Sequence, residues 1–189
     1  IYFEDKLYRG NRTHKFNSEN FDAFLSLNYP ILAEAGVRIR VHEDRLLAQS
    51  DGAFVVQTKM NANVAVLKLF PGLNLAPLVK AYLASGIEAV IMESYGSGNG
   101  PTDKDFLQAL QDLINNKVVV LNITQCREGK VEMGKYETSS ALMKMGVISG
   151  SDLTAEAAIT KAMFVLARTA DYKDRCKLLA STLRGEMTN

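Results

Sequence analysis

The sequence predicts an α/β fold built on a small parallel sheet, and three observations carry that expectation. From Val64 onward, strand-like and helix-like patterns alternate along the chain. The stretch Val118-Val119-Val120-Leu121-Asn122-Ile123 is too continuously apolar for a strand wet on one face, and suits a parallel sheet covered on both. Glycine and proline punctuate the pattern where strands turn or helices stop, as at Pro71-Gly72 and Gly86. Helical crossovers bury both faces of such a sheet, and right-handed connections make it a Rossmann-like layer structure.

Taken in order, residues 1 to 8 read as a strand broken by a turn near Glu4-Asp5. The polar run Arg9-Gly10-Asn11-Arg12-Thr13-His14-Lys15 has neither helical nor strand period and reads as a loop. From Asn17 to Ala35 the apolar spacing is irregular, and Asn28-Tyr29-Pro30 interrupts any helix because proline disfavours helical backbone before it. Residues 42 to 57, with the turn signal Asp51-Gly52, read as a charged and polar connector. Val64 to Phe70 is then a buried strand, and Asn74 to Ser85 a helix with Pro77 in its first turn. Ile87 to Tyr95 is the second strand. Thr102 and Asp105 have the spacing of a capping box for a helix whose inner stripe is Phe106, Leu110, Leu113 and Ile114. Lys117 to Thr124 is the third strand, and helical patterns follow near Ser139 to Lys144, at Thr154 to Arg168 and near Tyr172 to Leu183.

Composition narrows the function. With 47% hydrophobic and 23% charged residues among 189, the chain can bury a core and is not disordered. A net charge of +1, with Lys and Arg scattered, argues against nucleic acid or an anionic membrane as partner. No apolar run approaches the roughly 18 residues that span a bilayer, and no signal peptide is visible. Cys126 and Cys176 are too few for a disulfide framework and read as reduced, buried thiols, which points to a cytoplasmic setting. The chain opens on Ile1-Tyr2-Phe3 with a strand pattern already under way and no Met, as if cut in the middle of a fold.

Ligands of open parallel sheets gather at the carboxyl ends of the strands. Those ends are Phe70-Pro71-Gly72, Glu93 to Pro101, and Asn122 to Cys126. Glycines 96, 98 and 100 allow close backbone approach, but their spacing is neither a dinucleotide fingerprint nor a P-loop, and Glu93 repels phosphate. A flexible turn at a subunit contact is the plainer reading. Arg127 beside Cys126 favours a thiolate, yet no histidine partner is in view and a structural thiol is preferred. His14 and His42 lack ligand spacing, so neither metal nor cofactor is expected. On composition alone Lys15 is a solvated loop lysine.

The wording of the motifs changes that. Leu7-Tyr8-Arg9-Gly10-Asn11-Arg12-Thr13-x-Lys15, Phe21-Asp22-Ala23-Phe24 and Asn28-x-Pro30 closely resemble a segment of the type I, cytoplasmic-style bacterial L-asparaginases. So do Ser94-Tyr95-Gly96-x-Gly98-Asn99-x-Pro101, Asn122-x-Thr124-Gln125-Cys126-x-x-Gly129-Lys130-Val131-x-Met133-Gly134-x-Tyr136 and Gly146-Val147-Ile148-x-Gly150-x-Asp152-x-Thr154-x-Glu156-Ala157, in that order. The ending Leu183-Arg184-Gly185-Glu186-Met187-Thr188 also looks like the family's, so the resemblance covers essentially the whole chain.

The resemblance implies two α/β domains: residues 1–41 as the tail of a larger N-terminal domain, 42–59 as a connector and 60–189 as the smaller C-terminal domain. It implies hydrolysis of L-asparagine to L-aspartate and ammonia by a threonine nucleophile through an acyl-enzyme, supported by a second threonine, an aspartate and a lysine. The lysine matches Lys15. A desolvated lysine can relay the proton that a weakly nucleophilic hydroxyl must lose. The family's Thr-Gly-Gly-Thr and His-Gly-Thr-Asp-Thr motifs are absent from these residues, so the expectation is a C-terminal portion that is inactive alone.

The family assembles as dimers or dimers of dimers, the small domain closing a neighbour's active site. Tyr136 is the candidate for that reach, with an interface or core tyrosine as its alternative, and Asn99 is a second candidate. An activating asparagine site in some members corresponds to His14, Glu93, Ser94, Thr124 and Cys126. Glu93 stands where activated members carry arginine and His14 where they carry threonine. A glutamate repels the effector's carboxylate, so activation is expected to be weak, absent or rebuilt. Two other readings stay open: a non-catalytic binding or dimerisation module, and the amidase subunit of a tRNA-dependent amidotransferase. Arg9-Gly10-Asn11-Arg12 fits the free asparaginases better than the latter.

Overall fold

In the computed structural model, which describes residues 1–49, 51–134 and 137–188, Glu4 and Asp5 have φ of 48° and 60°. Two consecutive positive φ values make the tight turn that suits the twist of a hairpin. They reverse the chain between β1 (Tyr2–Phe3) and β2 (Lys6–Leu7), where the sequence had placed a break. The Arg9–Lys15 run is less irregular than its composition suggests. Gly10–Arg12 form a 3-10 turn, and β3 (His14–Lys15) pairs antiparallel with β4 (Phe24–Leu25), Lys15 opposite Phe24. β5 (Ala33–Ala35) and β6 (Ile39–Val41) complete an antiparallel sheet in the order β1-β2-β5-β6.

The parallel sheet follows. β7 (Val64–Lys68), α1 (Leu75–Ala84), β8 (Ala89–Ser94), α2 (Lys104–Asn115), β9 (Val119–Thr124), α3 (Glu137–Met145), β10 (Ile148–Ser149), α4 (Ala155–Arg168) and α5 (Tyr172–Leu179) succeed one another, and the strands lie in the order β10-β9-β8-β7. Alternate residues of the central strands serve opposite faces. Val90, Met92 and Val120 pack against Val79, Phe106, Leu110 and Leu113 of α1 and α2. Ala89, Ile91, Val119, Leu121 and Ile123 pack against Ala158, Ala162, Val165 and Leu179 of α4 and α5. Each large aliphatic side chain so buried contributes about 1.5–3 kcal/mol relative to exposure. Among the described residues, no helix is long and apolar enough to cross a membrane.

Local details depart from the sequence reading in three places. The cap of α2 is Asp103, whose side chain accepts from Phe106 N at 2.9 Å, and not Thr102; the helix starts at Lys104, one residue too late for Thr102 to reach its orphan N–H groups. β10 was not anticipated, two residues being too few to set up a period. The connector, read as polar, exposes Phe54, Val55, Val56 and Met60. Thr154, read only as the start of a helical pattern, is the cap of α4, accepting from Ala157 N at 3.1 Å.

Candidate functional site

The carboxyl ends of β7, β8 and β9 meet the β3–β4 hairpin and the start of α4 around a pocket of about 160 Å³, walled by His14, Lys68, Glu93, Thr124, Cys126 and Arg127 among others. Parallel pairing sets Lys68 beside Glu93, Nζ 3.6 Å from Oε2, with Lys68 exposed and Glu93 largely covered. With Lys68 in solvent and the separation long, such a pair contributes about 0–1 kcal/mol. Gln125 ties the strand ends together, its Nε2 donating to the carbonyls of Leu69 at 2.7 Å and Glu93 at 2.8 Å. Thr124 Oγ1 donates to Gly96 O at 2.5 Å and accepts from Cys126 N at 3.0 Å. His14 turns Nδ1 to the Glu156 carboxylate at 3.0 Å. Arg127 lies over the Phe16 ring at 4.8 Å.

Four of the five positions singled out as a possible effector site, His14, Glu93, Thr124 and Cys126, therefore share one pocket. Ser94 does not reach it: the residue is fully buried and its Oγ donates to Ile123 O at 3.1 Å. Lys15, next to His14 in β3, is exposed and makes no ion pair among the described residues. Asn99 closes the turn after β8 by paired backbone hydrogen bonds with Tyr95, both 2.9 Å, and its Oδ1 accepts from Thr138 Oγ1 at 2.7 Å. Tyr136 lies outside the described residues. The pocket offers a carboxylate, cations and an imidazole to a small zwitterion. Cys126, two residues past the end of β9, is exposed and Cys176 is only partly buried, where the sequence suggested buried thiols; no hydrogen bond joins Cys126 to His14 among the described residues. No group of three His, Cys, Asp or Glu residues suited to a metal occurs among them either.

Sequence reasoning missed the residues that hold this region in place. Asn28 forms a reciprocal amide pair with the Gly129 backbone, donating at 3.0 Å and accepting at 2.9 Å; the Asn28-x-Pro30 motif was its only signal. Lys68 gave none, and the motif ending in Glu156-Ala157 did not mark the partner of Glu156, His14, which lies on a distant segment. A larger cavity of about 380 Å³ between the connector, α4 and the tail has apolar walls including Phe54, Phe164 and Leu183. It lies away from the strand ends. Beside it, Lys161 Nζ donates to Ser181 O at 2.5 Å and to Glu186 Oε1 at 2.8 Å. Burial pushes the Glu186 carboxyl up, but Lys161 and the Arg184 and Leu183 N–H groups outweigh it and hold the group below the usual range.

Residues 1–47 match the N-terminal asparaginase family model, and residues 63–179 match the model described as the glutaminase/asparaginase C-terminal domain. L-asparaginase 1 of Escherichia coli (strain K12) is 41% identical over 188 residues, 100% of this chain and 55% of that protein. The 60 kDa lysophospholipase of Mus musculus is 39% identical over 191 residues, covering 100% of this chain and 33% of that one. The crystal structure of L-asparaginase I from Vibrio cholerae superposes with a TM-score of 0.92 at 35% identity, covering 100% of this chain and 57% of that chain. The chain thus spans about half the length of the bacterial relatives it matches. With a family model covering most of its length and the whole α/β arrangement superposing on a solved relative, the chain belongs to the glutaminase/asparaginase family.

Proposed function

We propose that this chain is part of an L-asparagine amidohydrolase, producing L-aspartate and ammonia, in which Lys15 belongs to the group that activates a threonine nucleophile. The single observation that carries the reading is the match to both halves of the family in their proper order, with Lys15 inside the first. Neither Thr-Gly-Gly-Thr nor His-Gly-Thr-Asp-Thr occurs in these 189 residues, so the nucleophile comes from outside them. The domain limits 1–41, 42–59 and 60–189 belong to the same reading, as do a cytoplasmic setting and a homodimer or homotetramer in which Tyr136 and Asn99 reach a neighbour's substrate. The pocket around Glu93 and His14 corresponds to the effector site of activated members, with asparagine activation weak, absent or rebuilt because Glu93 repels the effector's carboxylate. The tRNA-dependent amidotransferase subunit is the weaker alternative.

Replacing Lys15 by Met in the full-length enzyme is expected to lower kcat for asparagine about a hundredfold, the scale of a lost proton-transfer group. Unchanged kcat removes Lys15 from the mechanism. The 189 residues assayed alone are expected to release no ammonia, and turnover by them would sink the assignment of an external nucleophile.

A further inference from the structure

We infer that Asp152 is a positioning residue for Lys15, acting through Arg12; this rests on the reading of Lys15 given above. Arg12 stands three residues before Lys15, and its side chain is 1% exposed. Nη1 donates to Asp152 Oδ1 at 2.9 Å and Nη2 to Oδ2 at 2.7 Å, a bidentate fork on a carboxylate 140 residues away. The same guanidinium donates to Asn28 O at 2.9 Å, to Glu186 O at 3.0 Å and to Thr188 Oγ1 at 3.0 Å. Asp152 is filled from its other side by Thr188 N at 2.8 Å and Thr188 Oγ1 at 2.6 Å.

The geometry gives this knot a specific task. The β3–β4 hairpin lies between Arg12 and Asn28, so one end of its base carries the guanidinium and the other accepts a hydrogen bond from it. The Lys15 side chain has no hydrogen bond among the described residues, and its placement is inherited from the hairpin and that base. A buried ion pair adds little net stability over an apolar replacement. What a planar fork adds is one orientation of the backbone that carries it. The β10–α4 loop thereby sets where the lysine stands.

A double-mutant cycle on kcat for asparagine hydrolysis by the full-length enzyme tests this, below the unfolding temperature of every variant. Asp152→Asn is expected to lower kcat about tenfold with KM little changed, since small misplacements of a reacting group cost that much. In the Lys15→Met background it is expected to change nothing, because the group it positions is gone. Equal losses in both backgrounds, or a folded Asp152→Asn enzyme with parental kcat, overturn the inference. Should Asp152→Asn fail to fold, Thr188→Val removes one hydroxyl from the same carboxylate. Its expected loss of about threefold must likewise vanish without Lys15, and persistence there overturns the inference. A Lys15→Met enzyme as fast as its parent removes the reading of Lys15 itself, an outcome distinct from all of these.

Discussion

Lys161 Nζ lies 2.8 Å from Glu186 Oε1, with the two side chains 4% and 5% exposed, so α4 and the C-terminal tail are joined by an ion pair shut off from water. Removing one partner strands the other charge. Lys161→Met is therefore expected to destabilise the fold by about 3–5 kcal/mol in urea unfolding. Lys161→Met combined with Glu186→Gln should recover much of that loss, because no buried charge then lacks a partner. A single-variant cost below about 1 kcal/mol would mean that water reaches the pair in solution.

Acid should loosen the same region. Burial raises the Asp152 carboxyl, but Arg12 and Thr188 outweigh it and hold the group below its ordinary value, as Lys161 and backbone N–H groups do for Glu186. A carboxyl whose folded pKa is depressed adds stability that is fully present above its unfolded value and lost as pH falls through the folded one. With ordinary values of 3.8 and 4.5, the midpoint temperature is expected to hold above about pH 5 and fall below it. Glu186→Gln should flatten part of that acid limb. An unchanged limb would place the titrating groups elsewhere.

Much of this was legible in the sequence, and the boundary has physical causes. The parallel sheet could be read because Val64–Lys68, Ala89–Ser94 and Val119–Thr124 are long and apolar enough to show a pattern. Two-residue strands such as His14–Lys15 have no pattern to show. Among site residues, motif wording marked His14, Glu93, Thr124 and Cys126, which line one pocket. It could not reveal that Ser94 turns away to Ile123 O, nor that Arg12 and Asp152 meet across 140 residues. Such pairings depend on the folded path, and spacing along a chain carries no record of them.

Close approach makes Gly150 sensitive. A Cβ there would stand 2.6 Å from Ile123 Cγ2 and 2.9 Å from Asn122 O, because Gly150 N is bonded to that carbonyl at 2.7 Å. Backbone cannot step aside as a flexible side chain can. Gly150→Ala is expected to cost about 1–3 kcal/mol in thermal or urea unfolding. Stability equal to the parent's would show that the β10–α4 loop yields more than its contacts with β9 imply.

The charge in the effector-like pocket leads to a kinetic expectation. Glu93, paired at 3.6 Å with the exposed Lys68, presents a carboxylate to this pocket, and on the proposed effector reading it stands where the effector's carboxylate needs a cation. The rate of the full-length enzyme against asparagine should then be close to hyperbolic, and Glu93→Arg should introduce or strengthen sigmoidal dependence by supplying a fork for that carboxylate. A strongly sigmoidal curve in the parent, abolished by Glu93→Ala, would mean that the glutamate serves the effector and does not repel it.

The start of α2 offers a test of competing caps. Thr102 and Asp103 are adjacent and both of a type that caps helices, so residue type alone cannot choose between them. Asp103 has extended backbone, with φ −65° and ψ 148°, and its carboxylate accepts from Phe106 N at 2.9 Å. It also places negative charge at the positive end of the helix dipole. Asp103→Ala is thus expected to cost about 0.5–2 kcal/mol, and Thr102→Ala, at an exposed position outside the helix, only a few tenths. The opposite ranking in paired unfolding measurements would move the helix start back by one residue and restore the Thr102 and Asp105 box.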